Sequence, residues 1–182
     1  QVKEVVERLP VSQGKLNMGL RSYTTYADDL YPAALMYNGI LGAFPHSKLF
    51  LNVREKASLA YYASSRLDGH KGILTIYSGI EMANYEQAVD IIKKQLDAMK
   101  KGDISNLEME QTVAMISNQL RESLDSAYHM ISFDFNNILA GTERTTEQFI
   151  EEIRKVDRDA IREAAAKVEL DTIYFLRDEK GE

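Results

Sequence analysis

The three histidines are the first residues to consider, because catalytic metal sites and acid–base sites commonly use imidazole. His46, His70 and His129 are far apart, and none has a second histidine three to five residues away. Neither H-E-x-x-H nor H-x-x-E-H can therefore be written. The chain has no cysteine, which excludes thiolate ligands and a cysteine nucleophile. We predict no metal ligand and no catalytic residue here, and we interpret the histidines as surface, turn or packing residues.

Residues 45–61 combine residue types that can bind a peptide. Arg54 ends a short amphipathic stretch, and Tyr61 lies seven residues later, at the start of a β-rich run. A reversal from helix to strand can bring the two tips together, and a guanidinium beside a phenol offers donors to a peptide carbonyl or carboxylate. A structural interpretation competes with this one, because arginine favours the end of a helix and tyrosine is common in strands. On residue types alone, the structural interpretation is favoured.

The other polar and apolar clusters are interpreted as structural. Glu108 and Glu110, like Glu151 and Glu152, are too close in sequence to form an acid–base pair across a cleft, so we expect solvated helix faces. Several large apolar residues at helical spacing are predicted to fill the core: Met109, Met115, Met130, Phe133 and Phe135. Neither G-x-G-x-x-G nor G-x-S-x-G occurs, so nucleotide-binding and serine-hydrolase motifs find no support.

Alternation of apolar and polar residues predicts a strand near residues 15–23. Two β-rich runs, 58–67 and 72–80, are separated by Asp68-Gly69, a strong hairpin signal, and residues 171–177 are predicted to form a closing strand. The helix starts are assigned to polar residues that can act as N-caps: Asp28, Asn84, Ser105, Thr145 and Asp157. An apolar stripe begins at Met109 and continues toward Ile138. This order of elements predicts a split β-α-β-β-α-β plan, which is an α+β fold with a single antiparallel or mixed sheet covered on one face by helices.

Composition restricts the class of protein. The 182 residues are 45% apolar and 27% charged, without a linker or a repeat, which predicts one domain over residues 1–182. Because 28 acidic residues outnumber 22 basic ones, nucleic acid is an unsuitable partner. No apolar run approaches the roughly 20 residues that span a bilayer. The absence of cysteine fits a reducing compartment and predicts a cytoplasmic location. The chain starts at Gln1 without a signal segment, and we interpret it as a piece of a longer protein.

The run Ser47-Lys-Leu-Phe-Leu-Asn-Val-Arg54-Glu-Lys-Ala-Ser-Leu-Ala-Tyr61 resembles a motif of the M16 (pitrilysin/insulinase) metallopeptidases, a family that includes the mitochondrial processing peptidases. In that family an "S-x-L-F…R-E-K-x-x-L-A-Y" stretch belongs to the domain without the metal site. The resemblance implies two domains of one fold closed around a peptide. One holds zinc on H-x-x-E-H, and the other supplies an Arg–Tyr pair that contacts the substrate backbone. Carried over by position, that pair is Arg54 and Tyr61.

The resemblance implies that this chain is the substrate-binding half of an M16-type zinc peptidase or of its inactive partner subunit. Zinc is then expected on a partner domain, in the same chain or in another subunit of a homo- or heterodimer, and this chain alone is predicted inactive. Two other interpretations stay open. One is a non-enzymatic scaffold subunit that keeps only the fold, and the other is a peptide-binding module that uses an exposed sheet edge.

Overall fold

Five strands form one mixed sheet in the computed structural model, which describes residues 1–179. They are β1 (Lys3–Arg8), β2 (Gly14–Arg21), β3 (Ala60–Asp68), β4 (Ile73–Ile80) and β5 (Glu169–Arg177). Their order in the sheet is β1-β5-β2-β4-β3. β1 runs parallel to β5, and the other neighbours are antiparallel. The predicted α+β class is confirmed, and all four predicted strands lie in this sheet.

The segment that forms β1 was assigned no element from the sequence. It pairs with β5 from Lys3 opposite Thr172 to Arg8 opposite Arg177. All but one of its six residues are exposed, so its sequence lacks the alternation that identifies a half-buried strand. Pairing with β5, at the other end of the chain, makes this segment a strand.

Among the described residues, six α-helices accompany the sheet: α1 (Tyr31–Asn38), α2 (Tyr85–Lys101), α3 (Asn106–Ser123), α4 (Ala127–Ala140), α5 (Thr146–Lys155) and α6 (Arg158–Lys167). Two π-helical segments, Gly39–Ala43 and Phe50–Lys56, follow α1, and a short 3₁₀ turn precedes α2. Within residues 1–179, no helix has the length and the apolar character needed to cross a bilayer.

The two faces of the sheet differ, as the period of two predicts. Leu16, Met18 and Leu20 of β2 are buried in the core beside Ile76 of β4. The residues that alternate with them on β2, such as Lys15, are on the open face and are more exposed. The helices therefore cover one face of the sheet, as predicted.

Three of the predicted helix starts are confirmed. Ser105 and Thr145 each form a complete capping box with the residue three positions on, and Asp157 accepts a hydrogen bond from the backbone N–H of Ala160. These caps use side chains within one turn of each other, so local sequence is enough to predict them.

Two predicted helix caps are not formed by the side chains named for them. The Asp28 carboxylate accepts hydrogen bonds from the Thr25 backbone N–H at 2.6 Å and from its hydroxyl at 2.8 Å, so it closes a turn before α1. Asn84 is the N-cap residue of α2, so this helix begins where predicted, but the Asn84 side chain makes no capping hydrogen bond. Asp28 can satisfy either set of donors, and the path of the chain before α1 selects the turn.

The predicted stripe from Met109 to Ile138 does not run along a single helix. α3 ends at Ser123, and α4 begins at Ala127 after Ser126, an N-cap residue with an extended backbone. Phe133 is partly buried against the core, whereas Met115, Met130 and Phe135 are exposed, so their assignment to the core is wrong. Met109 is partly buried, in keeping with the prediction.

Candidate functional site

The first residues of the segment that bears Arg54 are bonded to α3. The imidazole Nε2 of His46 lies 2.8 Å from the Thr112 hydroxyl, and the Lys48 ammonium lies 2.9 Å from the Glu108 carboxylate. Both side chains of the ion pair are largely buried. Burial lowers the pKa of His46. His46 lies in a turn, as its sequence context predicted, and its ring contacts α3.

Glu108 is not the solvated helix residue that the sequence predicted. Burial raises the pKa of its carboxyl, but hydrogen bonds from the Ser105 backbone and from Lys48 outweigh that effect and hold the pKa below its ordinary value. The same carboxylate closes the capping box of α3. Glu108 thus joins the start of α3 to the segment that leads to Arg54.

The middle of this segment is held from a second side. The Asn52 side-chain amide donates to Gln95 Oε1 of α2 at 2.9 Å. In the same segment, Leu49 and Val53 are fully buried. The backbone N–H of Leu59 donates to the Val53 carbonyl at 3.1 Å, which fixes the return toward β3.

β3 is held against the first π-helical segment by a close approach at Gly42. A Cβ added there would lie 2.6 Å from the backbone nitrogen of Ser65 in β3, so any larger residue requires a backbone shift. Beside it, the Ser65 hydroxyl donates to Asn38 Oδ1 at 2.8 Å. The scaffold under the site is therefore closely packed on the side of α1 as well.

Arg54 lies in the last turn of the second π-helical segment, a type of helix that often marks functional sites. Its guanidinium carbon is 4.6 Å from the centre of the Phe50 ring, and its ion-pair partner Glu55 is 3.7 Å away. The side chain is 41% exposed. Most of the donor capacity of this guanidinium thus faces solvent.

Tyr61 is the extra residue of a β-bulge. Ala60 pairs with Ile80 and Tyr62 pairs with Gly79, so Tyr61 has no partner across the ladder. The residue is 55% exposed. Bulges re-aim side chains at sheet edges, and β3 is the edge strand of this sheet. Sequence reasoning located Tyr61 but missed the bulge and the edge, because neither has a local sequence signal.

Arg54 and Tyr61 therefore lie seven residues apart in the same anchored segment, and both are accessible, as a ligand-binding pair requires. Within residues 1–179 no hydrogen bond joins the two side chains. They line neither of two surface grooves of about 550 Å³ and 660 Å³, which lie beside Arg144. On this domain alone, the pair stands on an open surface.

The histidines within residues 1–179 do not form a zinc site. His46 is bonded to Thr112 and His70 to Asn136, at distant places in the fold. In the part of the chain that the structure describes, no three histidine, aspartate or glutamate side chains are grouped to hold a metal ion.

The fold, and the motif at residues 47–61, agree with the comparison with protein families. The family model described as "Peptidase M16 inactive domain" matches residues 1–116 of this chain. The chain belongs to the M16 peptidase family and corresponds to its inactive domain.

Two similar proteins are more than twice as long. The chain is 49% identical over 181 residues to the "Probable inactive metalloprotease YmfF" of Bacillus subtilis. The aligned region covers 100% of this chain and 42% of that protein. A crystal structure of a conserved protein from Enterococcus faecalis superposes with a TM-score of 0.95 at 40% identity, over 100% of this chain and 43% of that one. The chain thus spans less than half the length of these relatives.

A third structure has nearly the same length as this chain. It is a crystal structure of an inactive peptidase domain from Bordetella parapertussis, with a TM-score of 0.72 and 13% identity, covering 89% of this chain and 93% of that one. At this identity the likeness concerns the fold alone. It shows that a domain of this fold and size can fold as a separate chain.

Proposed function

We propose that this domain is the substrate-binding half of an M16 zinc-dependent peptidase, or of the inactive subunit that pairs with one, and that Arg54 and Tyr61 contact the peptide backbone. The observation that carries the proposal is the contrast between the anchored base of residues 46–61 and the exposed tips of these two residues. A rigid base with unsatisfied donors suits a ligand that arrives from outside the domain.

In this proposal, the catalytic chemistry takes place on another domain. Zinc held by that domain would supply the chemistry, by polarising the scissile carbonyl and activating water. Arg54 and Tyr61 donate hydrogen bonds to the peptide, and to the oxyanion where charge develops. Because the pair stands on an open surface, the zinc-bearing domain must supply the opposite wall of the substrate chamber.

The unpaired edge of β3 supports a route for the peptide. An extended peptide that adds to this edge forms backbone hydrogen bonds along the strand and passes the bulge at Tyr61. A peptide bound in this way would contact both the exposed edge of β3 and the Arg54–Tyr61 pair, so the two interpretations describe one binding surface.

The experiment uses the full-length parent protein with its zinc-bearing half. Arg54→Ala is expected to lower kcat/KM for peptide hydrolysis by roughly 10²–10³-fold, the range for loss of one preorganised donor to a developing oxyanion. Tyr61→Phe is expected to lower it less, because the ring remains. Lys56→Ala and Tyr62→Phe are matched controls, since each alters an exposed neighbour of the pair and should leave turnover unchanged.

A second measurement covers a parent protein that does not hydrolyse peptides. Peptide binding, followed by fluorescence anisotropy, should then weaken on Arg54→Ala and not on Lys56→Ala. Wild-type protein that neither cleaves nor binds peptides contradicts the proposal. That outcome favours the scaffold alternative.

A further inference from the structure

The outer face of α4 exposes a continuous apolar stripe. Tyr128, Ile131, Phe135, Ile138 and Leu139 are each between 56% and 75% exposed. The first four are spaced three, four and three residues apart, which places them on one side of a helix. This is the side opposite Asn137, the single buried residue of α4, a helix that the structure describes in full.

The contacts of the inner face of α4 explain why the apolar stripe faces solvent. The Asn137 amide donates to the Arg144 carbonyl at 2.8 Å and accepts from the Thr142 hydroxyl at 2.8 Å. Asn136 is bonded to His70, and the Phe133 ring lies 6.3 Å from that of Phe149. Polar contacts and one aromatic ring thus attach α4 to the domain, and its most apolar side faces solvent.

The size of the stripe is at the upper limit of the apolar patches that a monomer ordinarily exposes. Its exposures correspond to about 600 Å² of apolar surface, since a large apolar side chain has roughly 150–250 Å² to bury. The largest patch on a typical monomer is roughly 300–600 Å² and is often functional. Two such stripes in contact bury about 1,200 Å² in total, which reaches the lower limit for a specific interface.

We propose that this stripe is an interface between two copies of the chain, with α4 packed antiparallel against α4 of the second copy. The spacing of three and four residues is that of a two-helix seam. With the twofold axis at the level of residue 133, Ile131 meets Phe135 of the second copy, and Tyr128 meets Ile138. The stripe is therefore complementary to itself.

Charge favours a second copy at this face. The chain has a net charge of −6, yet Asp134 is the one formally charged side chain in α4. Like charges are thus kept out of the contact, although the rest of the chain would repel a second copy. The antiparallel orientation also pairs the opposite ends of the two helix dipoles. This inference does not rest on the proposed function, because no residue of the 46–61 segment takes part.

The test measures the mass of the 182-residue chain by light scattering and sedimentation, from low micromolar to sub-millimolar concentration. We expect a species of twice the 20.7 kDa monomer mass at the upper end. Ile131→Lys and Ile138→Lys should each raise the protein concentration at which half of the dimer dissociates by at least tenfold. Leu107→Lys is the matched control: it alters an exposed apolar residue of α3 and should leave that concentration unchanged.

The absence of cysteine allows a test of orientation. An equimolar mixture of Ile131→Cys and Phe135→Cys chains should give a mixed disulfide on oxidation, identified by mass spectrometry. Disulfides that join only identical positions overturn the antiparallel arrangement. The proposed interface is overturned if the wild-type chain stays monomeric, or if Ile131→Lys does not weaken the dimer. A circular dichroism melt of each variant shows that the variant is folded.

Discussion

Two arginines of this domain have opposite surroundings. The Arg144 guanidinium lies 4.7 Å from the ring centres of both Tyr26 and Phe149, donates to the Tyr26 carbonyl at 2.8 Å and pairs with Glu152 at 3.1 Å. Its side chain is 14% exposed. Arg54 covers one ring, has its ion-pair partner at 3.7 Å and is 41% exposed.

This difference separates a structural arginine from a candidate ligand-binding one. The domain itself supplies the partners of Arg144, in surroundings apolar enough that burial raises the pKa of the neighbouring Tyr31 to about 12. The domain supplies the base under Arg54 and leaves the guanidinium accessible. We therefore expect Arg144 to matter for stability, and Arg54 for binding.

The largest effect is expected at Arg144. Arg144→Ala removes two charge-assisted hydrogen bonds and the contacts with two rings, and should lower the free energy of unfolding by about 3 kcal/mol. Urea denaturation of the isolated domain measures it. Arg154→Ala, which removes a surface ion pair of α5, is the control and should cost less than about 1 kcal/mol. Equal losses in the two variants would remove the distinction between a buried and an exposed arginine.

A smaller effect is expected at the base of the Arg54 segment. Glu108→Gln leaves the buried Lys48 without its counterion and should lower the free energy of unfolding by about 2 kcal/mol near neutral pH. Glu110→Gln, at an exposed position of the same helix, is the control and should change little. No loss in Glu108→Gln would mean that the base of the segment is not held as the distances indicate.

The pH dependence of that loss is a further check on Glu108. Its pKa is lower in the folded chain than the ordinary value of 4.5, so the unfolded state binds more protons as the pH falls. Its contribution is therefore complete above pH 4.5 and disappears as the pH falls through the folded-state pKa. The difference between wild type and Glu108→Gln should narrow accordingly in denaturation measured from pH 7 downward.

The smallest effect on stability is expected at Arg54. Arg54→Ala should change the free energy of unfolding by no more than about 0.5 kcal/mol, because the side chain is exposed and weakly paired. Thermal melts of this variant and of Lys56→Ala should therefore coincide with that of the wild type. A loss as large as that of Arg144→Ala would assign Arg54 a structural role and contradict the proposed function.

Features that depend on neighbouring residues could be predicted from the sequence. Alternation identified β2, the β-rich runs on either side of Asp68-Gly69 identified β3 and β4, and the boxes at Ser105 and Thr145 located two helix starts, because each signal lies within a few residues. Arg54 and Tyr61 could be singled out because their types and spacing are local too, and the family motif ties them to a role. That role stays a proposal.

The tertiary structure decided the features that depend on distant partners. β1 is a strand because β5 lies beside it, and Glu108 is buried because Lys48 reaches it from another segment. The two faces of α4 could not be assigned from its apolar spacing, since the polar contacts of Asn136 and Asn137 decide which side meets the domain. A local pattern determines that a helix or strand forms, whereas its burial depends on which surfaces the rest of the chain brings against it.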